Sequence, residues 1–145
     1  MKKIEKVLEF FNQKCKENKL RITPQRTAIY LELVDNYSHP SADDIYRRIR
    51  KNHSNISFDT VNRTLLSFSR IGMIRITENC GRQKRFDTVT ENHHHLCCAR
   101  CNRIIDFKNN EYDDLKIPSS ILKKYKVLGK KVVIEVICDR CCKKE

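Results

Sequence analysis

The sequence predicts an α+β protein: an N-terminal winged-helix DNA-binding domain over residues 1–90, then a small α/β dimerisation domain over residues 91–145 with a four-cysteine zinc site. Three observations predict it. Apolar residues at helical spacing, with capping residues before each run, fill the chain to Gly72 and then give way to a short basic hairpin. Cysteine usage changes near residue 90, with Cys15 and Cys80 before it and the other six of the eight cysteines after it. The net charge is +12, of which +8 falls in residues 1–90 and +4 in residues 91–145.

Each half of a 145-residue chain split this way has a thin core that needs a staple, and eight cysteines supply one. The basic balance points to an anionic partner, with nucleic acid ahead of a membrane surface. No apolar run approaches about 20 residues. The start "MKKIEKVLEFFNQKCKENKL" has lysines but neither an uninterrupted apolar core nor a small-residue cleavage site, so a cytoplasmic protein without membrane attachment is expected. In a reducing cytosol, paired cysteines are more often metal ligands than disulfides.

Ile4, Val7, Leu8, Phe11 and Cys15 form one apolar stripe, which predicts a first helix with Cys15 in the core. In "RITPQRTAIYLELV", Thr23 caps a second helix that starts at Pro24, where the missing N–H costs nothing, and Ala28, Leu31 and Val34 face inward. Ser41 caps a third, with Asp44 three residues later completing an acidic capping box. After the polar turn "KNHSN", a fourth helix starts at Ser57, buries Val61, Leu65 and Phe68, and stops at Gly72. Its outer face carries Thr60, Asn62, Arg63, Ser67 and Arg70.

Two short helices around a polar turn, the second polar and basic outside, fit a helix-turn-helix whose second helix enters the major groove. Arg63 suits a guanine edge and Asn62 an adenine edge. "MIRITENCGRQKRFDTVT" then offers two strands about a turn containing Gly81, a wing with Arg82, Lys84 and Arg85 at its tip to touch phosphates. Taken alone, each charged stretch is an ordinary solvated face. Their order, helix, turn, helix and basic hairpin, favours DNA.

Cys98-Ala99-Arg100-Cys101 and Cys138-Asp139-Arg140-Cys141 are two CxxC knuckles able to surround one zinc ion with four thiolates. Cys97 and Cys142 leave the register open, and the 36-residue gap between knuckles exceeds that of a simple ribbon. Equal spacing in both pairs favours Cys98, Cys101, Cys138 and Cys141, with Cys97 and Cys142 spare. Between them, "NRIIDF" predicts a strand, "NNEYDDLKIPSSILKKY" a helix disturbed by Pro118, and "KKVVIEVIC" a strand. So little apolar surface is buried there that a structural zinc and a second copy of the chain are both expected.

The segment "HHHLCCARC" (93–101) holds six of the thirteen His and Cys residues. If it is extended, His93 and His95 share one face and His94 takes the other. Asp106 lies on the next strand, where a hairpin returns it alongside, and Asp87 lies six residues upstream of His93. Two imidazoles with carboxylates suit iron(II), manganese(II) or zinc.

"RITPQR", "HPSADDIY", "DTVNRTLLSFSRIGMI", "KRFD", "HHHLCCARC", "IIDF" and "CDRCCKKE" stand in the order and spacing of the ferric uptake regulator family, which the chain resembles over nearly its whole length. The resemblance implies a homodimeric winged-helix repressor that binds a palindromic operator in double-stranded DNA. It also implies a structural zinc on the four cysteines and a regulatory iron(II) or manganese(II) on His39, Asp87, His93, His95 and Asp106. His39 enters through the resemblance alone, since spacing marks it only as a turn residue before Pro40.

Departures from the family pattern carry information. Asn62 replaces a tyrosine usual in the recognition helix, a departure at a position that bears on operator preference. Asn92 and Lys130 replace histidines of a further metal site found in some members, so that site is not expected. Asp87 stands where zinc-sensing members tend to have cysteine. Asp106 resembles the peroxide-sensing branch, where iron-sensing members commonly have glutamate. The expected function is therefore a metal-dependent repressor sensing peroxide, with an iron-responsive uptake repressor as the alternative and a zinc-responsive regulator or metal buffer behind it. An enzyme of the zinc deaminase kind lacks its HxE motif here.

Overall fold

The computed structural model describes residues 2–35, 38–77 and 80–144. The chain divides into two compact units: residues 1–78 with 82–90, and residues 79–81 with 91–145.

The first unit is built by four helices, α1 (Lys2–Glu17), α2 (Pro24–Val34), α3 (Ala42–Ile49) and α4 (Phe58–Arg70), followed by the two-stranded antiparallel wing β1 (Arg75–Thr77) and β2 (Arg85–Asp87). The starts expected from sequence are present. Thr23 accepts from the Arg26 amide with Pro24 in the first turn, Ser57 accepts from the Thr60 amide, and Ser41 with Asp44 forms a reciprocal capping box. Burial opposes ionisation of Asp44, but the Ser41 backbone and hydroxyl, with Arg85 and Arg48 nearby, hold its carboxyl below the ordinary range. Past α4, Gly72 takes φ 71°, a left-handed stop that a Cβ would strain.

Phe11, Tyr30 and Phe68 tie α1, α2 and α4 together, one pair stacked at 5.0 Å and two edge-on at 5.8 and 5.9 Å. Burial, and then proximity to Cys15, pushes the Tyr30 phenol up to about 12, so it stays neutral. One inward assignment is corrected and one is refined. Ile4, in the first turn of α1, is exposed. On α2, the fully buried residues are Ile29, Tyr30 and Leu33, while Val34 packs partly buried against the same core and Ala28 and Leu31 are half-buried. One residue of helix is a rotation of about 100°, and the aromatic trio decides which stripe faces the core.

The second unit is a three-stranded sheet in the order β4 (Ile104–Phe107), β3 (His94–Cys98), β5 (Val133–Val136), with β3 antiparallel to β4 and parallel to β5. The single helix expected between the knuckles is two, α5 (Asn110–Asp113) and α6 (Ser119–Lys124). Pro118 is the N-cap of α6, since its ring disfavours a helical residue before it. The short α7 (Asp139–Cys142) carries the second knuckle. Among the described residues, the buried apolar cluster is only Cys80, Cys97 and Ile104 with Val133 packed on it. Within it Cys80 and Cys97 form a disulfide with Cα atoms 5.6 Å apart. Cys97, expected to be spare, is outside the four-cysteine set but bonded to Cys80, a pairing that cysteines 17 apart in sequence do not signal until the sheet brings them together.

Candidate metal centres

The knuckles come together because Cys98 ends β3 while β5, its parallel neighbour, delivers Cys138 beside it. The Sγ atoms of Cys98, Cys101, Cys138 and Cys141 all lie within 4.8 Å of one another. Asn102 turns the first knuckle with φ 58° and donates its N–H to the Cys98 carbonyl, and the Arg103–Asp139 ion pair at 2.9 Å clamps the two knuckles. Backbone amides of Cys101 and Cys138 stabilise the Cys98 thiolate, pulling it down to about 6, and the Cys141 amide lowers Cys138. Beside the Cys138 sulfur, Cys141 is pushed up to about 12. Four sulfurs that share protons this unevenly, with amides already aimed at two of them, form a donor set for a cation preferring thiolates. Cys142 is exposed and donates to the Ile137 carbonyl, outside the set.

The second donor set follows from strand register. His95 on β3 stands directly opposite Asp106 on β4, and His93 precedes β3 on the same face. His93 Nε2 lies 2.9 Å from His95 Nε2, and Asp106 lies 3.5 and 3.2 Å from the two. Donors each about 2.1 Å from one metal centre are separated by roughly 3.0–3.4 Å, so this triangle has a ligand set's dimensions. His93 Nδ1 is 2.7 Å from the Glu91 carbonyl, which only accepts. Nδ1 therefore carries the proton and Nε2 keeps its lone pair. His94, on the other face, is fixed oppositely: its Nδ1 accepts from the Val132 amide, so its Nε2 donates to Asp113 at 2.8 Å. No lone pair is left on His94 for a metal. Lys130, one of the two departures noted above, donates to the Leu115 carbonyl.

The first unit carries a third group, a pair. His39 is buried, its backbone is left-handed at φ 53°, and its Nε2 lies 3.3 Å from Asp87 of β2. Pro40 accepts from the Phe86 amide, Ser41 bridges to Arg85, and Arg85 Nε donates to the His39 carbonyl, so the segment runs beside β2 and aims the imidazole at Asp87. A left-handed histidine before proline is strained, and such backbone is concentrated at functional sites. Spacing alone missed His39, and this φ value has no sequence signature.

The residues expected at DNA fall on two surfaces of the first unit. Thr60, Arg63 and Arg70 of α4 line a groove of about 610 Å³ together with Arg21 and Arg26. Asn62 and Lys84 line a smaller cleft with Phe58 and Phe86. Arg82 is exposed beyond β1, whereas Arg85 is half-buried within β2 instead of at the wing tip. Arg63 pairs with Asp59 one turn away at 2.6 Å.

Helices, basic wing, four-thiolate cluster and His/Asp triangle together define a winged-helix protein with metal-binding side-chain sets. The chain belongs to the ferric uptake regulator family, whose pattern it matches over residues 17–142. It is 36% identical over 130 residues to the peroxide operon regulator of Bacillus subtilis, covering 90% of each chain. It is 34% identical over 122 residues to the peroxide-responsive repressor PerR of Staphylococcus epidermidis, covering 84% of this chain and 81% of that one. The fold is similar to the ferric uptake regulator Fur of Helicobacter pylori, described as having three functional metal-binding sites, with a TM-score of 0.79, 25% identity, and 96% and 93% of the two chains covered.

Proposed function

We propose that this protein is a metal-dependent transcriptional repressor that binds palindromic double-stranded DNA as a homodimer and senses peroxide. It is a cytoplasmic regulator rather than an enzyme. The observation that carries the reading is the triangle of His93, His95 and Asp106, in which an aspartate faces His95 across the sheet. Kinship with peroxide-responsive repressors supports it. A longer glutamate would reach further into the site, whereas the short carboxylate leaves room for a small oxidant.

In this reading Cys98, Cys101, Cys138 and Cys141 hold a structural Zn2+. His39 and Asp87 of the first unit and His93, His95 and Asp106 of the second supply the ligands of one regulatory Fe2+ or Mn2+. Each pair or triangle alone is an incomplete set, and the family resemblance joins them. Bound iron(II) supplies electrons to peroxide, which manganese(II) does not readily do. The chain's own part is orientation: Glu91 fixes the His93 tautomer, and Arg85 and Pro40 fix His39. If His39 and Asp87 shared one ion with His93, His95 and Asp106, metal and DNA would tighten each other's binding. Thr60, Asn62, Arg63 and Arg70 read or approach bases, while Arg82, Lys84 and Arg85 belong to the wing.

The experiment is DNA binding by the zinc-containing dimer loaded with iron or with manganese, before and after brief peroxide exposure. The expected result is metal-dependent binding in both and, in the iron form, loss of binding with one oxygen atom's mass gained on the peptide of His39 or His93, a gain that the manganese form does not show. An iron form that keeps unmodified histidines and binds DNA after peroxide favours the second reading, an iron-responsive uptake repressor, which the likeness to the Helicobacter pylori regulator supports.

A further inference from the structure

Cys80 and Cys97 are used by neither donor set, yet they are buried together, 3% and 7% exposed, at the centre of the second unit's only small apolar cluster among the described residues. Their Cα separation of 5.6 Å lies within the range of about 4.4–6.8 Å that a disulfide spans without backbone movement. Cys80 lies in the connection between β1 and β2, and it packs with the second unit although both strands belong to the first. Neighbouring Gly81 has φ 80°, and an added Cβ there would meet the Asn102 side chain at 3.0 Å, so Gly81 is seated closely on the first zinc knuckle. Exposed Arg82, Gln83 and Lys84 follow at once.

We propose that Cys80 and Cys97 form a thiol–disulfide switch, separate from either metal set, in which the disulfide fastens the wing connection to β3 and weakens DNA binding. The DNA part of this rests on the proposed role of the wing. A wing must follow the recognition helix onto the duplex, and a covalent bond from its connection to β3 removes part of that freedom. With both thiols reduced, the covalent tie is gone, and the Cys80 thiol can donate to the Asn102 carbonyl, which lies 3.4 Å from its Sγ in the disulfide form. Such contacts open locally and transiently, which also admits oxidant to sulfurs that are otherwise covered.

The chemistry balances with a hydroperoxide as oxidant. The Cys80 thiolate attacks the peroxide, an S–O bond forms, the O–O bond breaks and an alcohol, or water from hydrogen peroxide, departs. Cys97 sulfur then displaces the sulfenic oxygen, which leaves as water with the Cys97 proton, so two thiols have lost two electrons and two protons. A dithiol reductant reverses the bond.

The test uses the full-length, zinc-containing, manganese-loaded protein, because manganese spares the ligand histidines and isolates this chemistry from the iron-dependent reading. The probe is a duplex selected from random DNA by the reduced manganese form. Hydrogen peroxide is expected to join the peptides of Cys80 and Cys97 and to lower affinity for the duplex by about five- to tenfold, the lower range of coupling between sites. Dithiothreitol should restore it. Cys80→Ser and Cys97→Ser should each bind as the reduced wild type does and ignore peroxide. The switch is overturned if no Cys80–Cys97 link forms, if the linked form binds the duplex unchanged or more tightly, or if Cys80→Ser loses affinity as the wild type does. Loss of the peroxide response in the iron form of Cys80→Ser would instead count against histidine oxidation.

Discussion

Three consecutive histidines have distinct chemistry because of what each outer nitrogen meets. Glu91 leaves a lone pair on His93 Nε2, while Val132 and Asp113 occupy both nitrogens of His94. His95→Ala is therefore expected to lower manganese affinity by more than about 100-fold, since even outer partners of ligands are worth 10–100-fold, with zinc retained at one per chain. Asp113→Asn, which disturbs the neighbouring histidine, should leave manganese affinity nearly unchanged. Calorimetric titration with manganese compares the two, and equal losses would place His94 in the metal set.

At the scale of elements, the capping box at the start of α3 and the wing make separable contributions. Asp44→Ala should destabilise the protein by about 1 kcal/mol at neutral pH, the usual value of a lost cap. The Asp44 carboxyl is lower in the folded than in the unfolded chain, whose ordinary value is 3.8. Its ionised contribution is thus full above that value and is lost as pH falls through the lower folded one. Denaturant unfolding of wild type and variant should therefore converge in acid, and a difference that persists below that range would assign the effect to packing. In the wing, Arg82→Ala and Lys84→Ala should each weaken binding to any DNA sequence and reduce the salt slope by about 1. Asn62→Ala, in the cleft beside Phe58, should mainly relax base preference. Comparing selected and random duplexes over a salt series separates these effects. Arg85 is a poorer probe of phosphate contact, because its guanidinium already holds His39.

For the whole molecule, the second unit is expected to depend on zinc because its apolar cluster is so small. Structural zinc is worth about 10 kcal/mol or more in small metal-stapled domains. Cys138→Ser should lose zinc, unfold the C-terminal unit and abolish dimerisation. Metal analysis with sedimentation checks this, and a folded, zinc-free dimer would refute the assignment. The Cys80–Cys97 bond closes a 17-residue separation, which in the chain-entropy account contributes about 3 kcal/mol, too little to replace the metal.

The sequence by itself determined what is local or periodic. The caps at Thr23, Ser41 and Ser57, the stop at Gly72, the paired knuckles and the alternation of His93, His94 and His95 each follow from backbone geometry over a few residues. Even Asp106 was legible, because a hairpin after the first knuckle has few registers to choose from. Tertiary structure alone decided the rest. The packed aromatic trio chose the stripe of α2, a left-handed backbone held by Arg85 and Pro40 aimed His39 at Asp87, and the sheet joined Cys80 to Cys97. Such pairings depend on contacts between segments far apart in the chain, which acquire a geometry only when the elements around them have packed.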